Sequence, residues 1–208
     1  MSTNPTSRRT QAERSRISRE KIIRAAIHLF AEQGFRGAKM ADIAQAAGLT
    51  EPGLLHHFPS KTHLLMAVLA ERDRLDRQRF DPALLKEDPL SAFHKLVEYN
   101  ETVPGLVQLF TILVAESIQE EHPAHDFFVQ RYHSGRERDA EDVRQAQARG
   151  EIRSDLSAED LTVMLYAMMD GLQIQWLLEP ENIDMARIFE QFARLLRGEE
   201  KDHEHQDG

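Results

Sequence analysis

The chain has 208 residues, of which 41% are apolar and 29% are charged, and it contains no cysteine. This balance is typical of a globular protein with a sizeable hydrophobic core. The absence of cysteine excludes disulfides, thiolate metal sites and cysteine nucleophiles. The formal net charge of −9 argues at first against nucleic-acid binding.

The first residues and the longest apolar stretch bear on where the protein works. Residues 1–19 are polar and basic and lack the apolar centre of a signal peptide. The longest uncharged stretch, 14 residues between Glu101 and Glu116, contains a Pro-Gly pair and is too short to cross a bilayer. We expect a cytoplasmic protein that does not enter a membrane.

Apolar residues recur at helical spacing along nearly the whole chain, which predicts an all-α fold of nine or ten helices. The first predicted helix covers about residues 18–33 and ends at Gly34. The second covers about 40–47 and is followed by a turn at Gly48. The apolar face of the first helix is formed by Ile22, Ile23, Ala26, Ile27 and Phe30.

Capping residues and prolines set the remaining boundaries. Thr50 is the predicted cap of a third short helix, which ends at Pro59, and Ser60 caps a fourth helix that runs to about Arg79. Further helices are predicted from Asp88-Pro89 to a break at Pro104-Gly105, and then over about 106–118, 124–149, 157–178 and 184–196.

The segment ADIAQAAGLTEPGLLHHF, residues 41–58, has the layout of a helix-turn-helix. Its alanines allow two short helices to cross closely, and Gly48 turns the chain between them. The second of these helices has a size that fits the major groove of DNA, where base edges present a distinct donor and acceptor pattern.

Residues 34–65, GFRGAKMADIAQAAGLTEPGLLHHFPSKTHLL, resemble the DNA-binding domain of the TetR family of transcriptional regulators. Near the other end, DGLQIQWLLEP, residues 170–180, resembles the penultimate helix of many members. The features shared in the first stretch are Gly34-Phe35, Asp42-Ile43-Ala44, Ala47-Gly48, Gly53-Leu54, His57-Phe58, Ser60-Lys61 and Leu64-Leu65.

The resemblance implies a helix-turn-helix domain followed by an all-helical domain that dimerises and holds a small-molecule pocket. Members are mostly repressors that their ligand releases from a palindromic operator in double-stranded DNA, by a shift between two conformational populations. The effector of this chain is unknown. The expected domains are a flexible basic arm at 1–17, a DNA-binding domain at 18–62, a ligand-binding and dimerisation domain at 63–197, and a disordered tail at 198–208.

The resemblance also implies which residues contact DNA. Two positions depart from the family pattern, because Ala38 replaces a frequent threonine and Leu55 replaces a frequent tyrosine, and both changes remove a hydroxyl. Leu55 could instead contact a thymine methyl group, and Glu51 could accept from a cytosine amino group. The expected DNA-binding residues are Lys39, Met40, Thr50, Glu51, Pro52, Gly53, Leu55, His56 and Lys61.

The charge is distributed unevenly between the two ends of the chain. Residues 1–61 contain ten Lys+Arg and five Asp+Glu, a net charge of +5, and the rest of the chain carries −14. A basic first part can therefore bind phosphates although the whole chain is acidic. DNA contact is expected from at least one of the arginines of the basic arm, the alternative being a solvated tail: Arg8, Arg9, Arg14 and Arg16.

Two further sets of residues are candidates for the second domain. The first would line an effector pocket, although a residue of this kind is individually more often ordinary core than a ligand contact: Phe93, Val97, Phe110, Phe128, Tyr132 and Met168. The second would form a four-helix dimer interface, the alternative being that both apolar stripes are buried within one chain: Leu161, Leu165, Leu172, Trp176, Ile188, Phe192 and Leu195.

No metal, cofactor or catalytic site is expected. His122 with His125, and His203 with His205, lack the further ligands of a closed metal site and are interpreted as surface or tail residues. No phosphate loop, dinucleotide fingerprint or nucleophile motif is present, so an enzyme is not expected. An enzyme or a helical adaptor, the alternative functions, would lack salt-sensitive and sequence-specific DNA binding.

Overall fold

A computed structural model describes residues 10–79 and 82–198. Within these ranges there are ten helices and no strand, which confirms the all-α prediction. The helices are α1 (Gln11–Gly37), α2 (Met40–Ala46), α3 (Glu51–His57), α4 (Lys61–Arg79), α5 (Pro82–Glu87), α6 (Pro89–Glu101), α7 (Pro104–Glu116), α8 (His125–Ala148), α9 (Ala158–Leu178) and α10 (Met185–Arg197).

The chain divides into two compact units, Met1–Asp73 and Arg74–Gly208. In the first unit, α2 packs against both α1 and α3. The apolar residues that hold these helices and the start of α4 together are almost completely buried: Ile22, Ala26, Phe30, Ile43, Leu54, Phe58, Leu64 and Leu65. The core therefore fixes α3 from one side and leaves its other side exposed.

The boundaries of the helix-turn-helix follow from local chemistry, as predicted. Gly48 has a φ of 71°, which only glycine adopts without strain, and it turns the chain after α2. The hydroxyl oxygen of Thr50 accepts from the backbone N–H of Gly53 at 3.2 Å and caps α3. Gly34 has a φ of 69° and interrupts α1 at the predicted position, although one further turn continues to Gly37.

The first helix begins seven residues before the predicted start at Ser18. Thr10 caps it, because its hydroxyl oxygen accepts from the backbone N–H of Glu13 at 3.2 Å. Arg16 and Glu20, one turn apart, form an ion pair at 2.6 Å. Residues 11–17 are therefore helical, although the sequence predicted a flexible arm there because they lack an apolar face. Arg8 and Arg9 lie outside the described residues.

In the second unit, α8 packs along α9, and α6 packs against α10. The predicted caps are confirmed, since Asp88 accepts from the N–H of Ser91 at 3.1 Å and Ser157 accepts from the N–H of Asp160 at 3.0 Å. The short helix α5 was not predicted, and α7 ends at Glu116 rather than Ile118. Among the described residues, no helix is both long enough and apolar enough to span a membrane.

Four of the residues predicted for a dimer interface lie inside the core of the second unit. Leu161 and Leu165 are fully buried within one chain, and Leu172 and Trp176 are at most 9% exposed. They pack with Phe93 and Phe189, among others, in one apolar cluster. Their side chains therefore have almost no surface left for a second copy, which is the alternative that the sequence left open.

Candidate DNA-binding and effector sites

The recognition helix α3 presents one polar face to solvent and anchors the opposite face in the core. Leu54 is fully buried, whereas Thr50, Glu51, Pro52 and His56 are exposed. Leu55, in place of the family tyrosine, is 39% exposed and therefore available to an apolar base edge. The residues expected to face the groove from the start of α3 are thus brought together on one accessible face.

The remaining residues that are expected to contact DNA differ in their exposure to solvent. Lys39 is exposed just before α2, while Met40 and Gly53 are half-buried. A β-carbon at Gly53 would approach the Thr50 hydroxyl oxygen to 3.2 Å, so the glycine leaves room for the cap. The capping contact uses a lone pair of Thr50, which leaves its hydroxyl hydrogen available to donate to a phosphate.

Lys61 has a structural role that the sequence did not reveal. Its ammonium group donates to the carbonyl oxygens of Arg36 at 3.2 Å and of Ala38 at 3.0 Å. The same nitrogen lies 4.7 Å from the ring centre of Phe35. Lys61 thus satisfies carbonyl groups at the end of α1, and a phosphate would share an ammonium group that is already engaged.

A guanidinium and two imidazole groups, which no local sequence pattern joins into one site, lie together at the end of α3. The guanidinium carbon of Arg19 is 4.3 Å from the ring centre of Phe58, and the rings of His56 and His57 are 5.6 Å apart. Burial lowers the pKa of His57 below its usual value of 6.5, and the charges of His56 and Arg19 lower it further.

The six predicted pocket residues fall into two groups. Phe93 and Tyr132 both contact the ring of Tyr166, each at a centroid distance of 6.0 Å. Val97 belongs to the core cluster, and Met168 packs against it. The other group is the edge-to-face pair Phe110 and Phe128, whose ring centres are 5.5 Å apart.

Two tyrosines connect these rings to carboxylates across the α8–α9 interface. The Tyr132 hydroxyl donates to Asp170 at 2.8 Å, and the Tyr166 hydroxyl donates to Asp139 at 2.8 Å. Asp139 is 1% exposed and also accepts from Arg138 at 2.7 Å. Burial, together with the carboxylate that each phenol faces, raises the pKa of both tyrosines, so both remain protonated donors.

An open cleft of about 400 Å³ lies elsewhere in the second unit, where the ends of α5, α8 and α10 meet. The guanidinium of Arg197 pairs with Asp88 at 2.9 Å beside it. None of the six predicted pocket residues lines this cleft, whose lining is Glu87, Asp88, Pro89, Ala146, Gly150, Glu151, Ile152 and Arg197.

Exposed apolar side chains mark the outer faces of α9 and α10. Leu195, a predicted interface residue, is 57% exposed, and Ile188 and Phe192 are half-buried. On α9 the exposed positions are neighbours of the predicted ones, displaced around the helix: Val163, Met164, Ile174 and Leu178.

Two of the four histidines considered for a metal are held by hydrogen bonds. The Nδ1 atom of His122 accepts from the N–H of Ala124 at 3.2 Å, and the Nδ1 atom of His125 is 2.8 Å from the carbonyl oxygen of Ser117. His122 is buried rather than on the surface, which corrects that interpretation. His203 and His205 lie outside the described residues.

Two family models match the chain, one in each unit. Residues 22–68 match bacterial regulatory proteins of the tetR family, and residues 92–199 match the C-terminal part of BetI-type transcriptional repressors. The first match covers the helix-turn-helix together with parts of α1 and α4, and the second covers most of the second unit.

Curated relatives and solved structures agree with these matches. The chain is 29% identical over 198 residues to the HTH-type transcriptional regulator TtgR of Pseudomonas putida, covering 86% of this chain and 88% of TtgR. It is 25% identical to a putative transcriptional regulator from Saccharomonospora viridis in complex with choline, with a TM-score of 0.70 and coverage of 84% and 94%. Against Salmonella enterica GusR the identity is 26%, the TM-score 0.65 and the coverage 87% and 95%.

The matched relatives are transcriptional regulators rather than enzymes. Their likeness extends over both units, including the exposed recognition helix and the helical second unit. The chain belongs to the tetR family of bacterial regulatory proteins and is a DNA-binding transcriptional regulator of the helix-turn-helix type.

Proposed function

We propose that the protein is a homodimeric repressor that binds a palindromic operator through α3 and is released from it by a small-molecule effector. The observation that carries this proposal is the match of the second unit to BetI-type transcriptional repressors, next to an intact helix-turn-helix in the first. A dimer places two copies of α3 on one face of the duplex, about one helical turn apart or a multiple of that distance.

In this proposal the exposed face of α3 reads bases, and its flanks bind phosphates. Glu51 and Leu55 are positioned to contact base edges, and Lys39 and His56 to contact the backbone. Met40, Thr50, Pro52 and Gly53 shape or cap the same surface. Lys61 contributes chiefly by holding the end of α1, with its charge as a secondary attraction.

The dimer interface is proposed on the outer faces of α9 and α10. An exposed apolar surface of this kind marks an interaction site, and two helices from each copy would form a four-helix bundle. The proposed residues are the exposed and half-buried positions, which replace the four buried ones of the original set: Val163, Met164, Ile174, Leu178, Ile188, Phe192 and Leu195.

The effector site is proposed around the rings of Phe93, Tyr132 and Tyr166. Asp170 places a carboxylate beside these rings, whereas the charge of Asp139 is already paired with Arg138. Aromatic faces with nearby negative charge attract an organic cation. The relative from Saccharomonospora viridis, whose structure contains choline, supports the same ligand class. By binding one of two conformations more tightly, such a ligand would lower operator affinity.

The domain boundaries at 62 and 197, a cytoplasmic location and the absence of catalysis are part of this proposal. An arm that ends at residue 17 is not, because α1 begins at Gln11. A regulator acts in the compartment that holds the DNA, which for this family of bacterial proteins is the cytoplasm.

Selection of operator sequences from a random duplex library, followed by binding titrations at several salt concentrations, tests the DNA-binding part. A palindromic consensus and a steep fall of affinity with salt are expected. Glu51→Ala should change base preference at one position of each half-site. Equal affinity for the selected and random duplexes would contradict the proposal.

The effector part is tested with choline and its neutral isostere 3,3-dimethylbutan-1-ol. Choline should release the protein from its operator and raise its melting temperature, whereas the neutral isostere should do neither. Asp170→Asn should remove the response to choline while leaving operator affinity unchanged. An equal response to both compounds would contradict recognition of the positive charge.

A further inference from the structure

Arg19 of α1 and Phe58, directly after α3, form a contact between two segments 39 residues apart in the sequence. Phe58 is 2% exposed and belongs to the core of the first unit, whereas Arg19 is exposed. The guanidinium carbon lies 4.3 Å from the ring centre, close enough for a cation–π attraction. The ring thus holds a flexible cation beside the end of the recognition helix.

A guanidinium held over a ring keeps its N–H edges available to other acceptors. Its planar fork matches the oxygen geometry of a phosphate and can donate two hydrogen bonds to it. Arg16, one turn earlier on α1, pairs with Glu20 at 2.6 Å. None of the carboxylates that the structure describes forms such an ion pair with Arg19.

Two imidazole rings are the neighbours of Arg19 at the end of α3. His57 lies within its electrostatic influence, and the ring of His56 is in edge contact with that of His57. Because its pKa is lowered, the His57 ring is neutral at neutral pH, and the guanidinium of Arg19 is the charge that an anion would meet beside these rings. This arrangement at the end of a DNA-reading helix fits an anionic ligand that lies along the helix flank.

We propose that Arg19 binds a phosphate group of the operator backbone at the end of the recognition helix, and that the ring of Phe58 positions its guanidinium for this contact. The proposal rests on DNA binding by α3. It assigns a DNA contact to the third turn of α1, outside the helix-turn-helix and outside the basic arm.

Lys61 offers an internal comparison. It too lies over an aromatic ring, that of Phe35, but its ammonium group donates to two carbonyl oxygens of the chain. Of these two cations, Arg19 is exposed, whereas Lys61 is half-buried and donates to the chain itself. The two residues should therefore respond differently to substitution.

The test measures binding of the full chain to a random 30-base-pair duplex and to a selected operator, over a range of salt concentrations. Arg19→Ala should weaken binding to both duplexes by about three- to tenfold. The slope of log affinity against log salt concentration should become shallower by about the amount that one phosphate contact contributes. Arg19→Lys should restore part of the affinity, because charge returns without the planar fork. Arg24→Ala, an exposed arginine on the same helix, controls for a general loss of positive charge.

The role of Phe58 is tested by Phe58→Leu, which keeps an apolar side chain in the core. Phe58→Leu should weaken binding in the wild-type background and have little further effect in the Arg19→Ala background, because both changes act on one contact. Thermal melting of each variant identifies the salt and temperature range in which it is folded. An equal loss in both backgrounds would overturn the positioning role of the ring.

An unchanged affinity and salt slope for Arg19→Ala, on both duplexes, would overturn the phosphate contact. If Arg24→Ala reproduces the Arg19→Ala loss, the effect is one of net charge and the assigned contact is wrong. If the wild-type chain binds neither duplex, the DNA-binding function itself has failed, which is a separate and distinguishable result.

Discussion

Gly135 of α8 faces Tyr166 of α9 so closely that a β-carbon at residue 135 would lie 2.5 Å from the phenol oxygen. The glycine gives that phenol the space to reach Asp139, to which it donates at 2.8 Å. A missing side chain on one helix thus allows a buried hydrogen bond on the next. This contact connects the packing of the second unit to its proposed effector site.

Gly135→Ala should therefore destabilise the protein, although alanine normally favours a helix. The added methyl group must displace Tyr166 and strain its hydrogen bond, so we expect a loss of about 1–3 kcal/mol in unfolding free energy. Chemical denaturation measures this loss. Gly105→Ala is the matched control, since a β-carbon there meets nothing within 4 Å, and it should be neutral or stabilising. Equal stability of the two variants would contradict the steric argument.

We expect a loss of stability from Lys61→Ala and a loss of DNA affinity without a loss of stability from Lys39→Ala. Lys61→Ala removes the donor that satisfies the carbonyl oxygens of Arg36 and Ala38, and we expect it to lower unfolding free energy by about 1–2 kcal/mol. Lys39 is exposed, so its loss should change stability by less than about 0.5 kcal/mol while weakening DNA binding. Denaturation curves measure the stability of both variants, and binding titrations measure their affinity for DNA. An unaltered stability for Lys61→Ala would show that its hydrogen bonds to the end of α1 do not stabilise the fold.

Ile174→Glu should separate the dimer, because it places a charge in the middle of the proposed apolar interface on α9. Sedimentation velocity should show at least about tenfold weaker dimerisation. Val129→Glu introduces the same charge at an exposed apolar position of α8 and should leave the assembly unchanged. A dimer that tolerates Ile174→Glu but not Val129→Glu would move the interface to the α8 surface.

The stability of the first unit should fall as the pH is lowered. Because the pKa of His57 in the folded protein lies below its usual value of 6.5, the unfolded chain binds its proton first. Stability is thus retained above the unfolded pKa and lost as the pH falls through 6.5 towards the folded pKa. His57→Gln should reduce this loss in denaturation experiments at several pH values. If unfolding free energy depends on pH in the same way in the wild type and in His57→Gln, His57 is not the cause of the loss of stability.

The sequence by itself determined the features that depend on neighbouring residues. Thr50 and Pro59 bound α3, Gly48 turns the chain before it, and the split of charge marks the basic first part. These features follow from capping, backbone freedom and composition, each of which acts within a few residues. The motif that identifies the family lies in this same stretch.

Tertiary structure decided how helices share their surfaces. α9 is apolar on several faces, so its sequence alone could not show that Leu161 and Leu165 point into the core while Ile174 remains outside. Lys61 and Arg19 find their partners 23 and 39 residues away, and no local pattern encodes such contacts. Packing of distant segments selects which residues are buried, and therefore which remain free to bind DNA, an effector or a second copy.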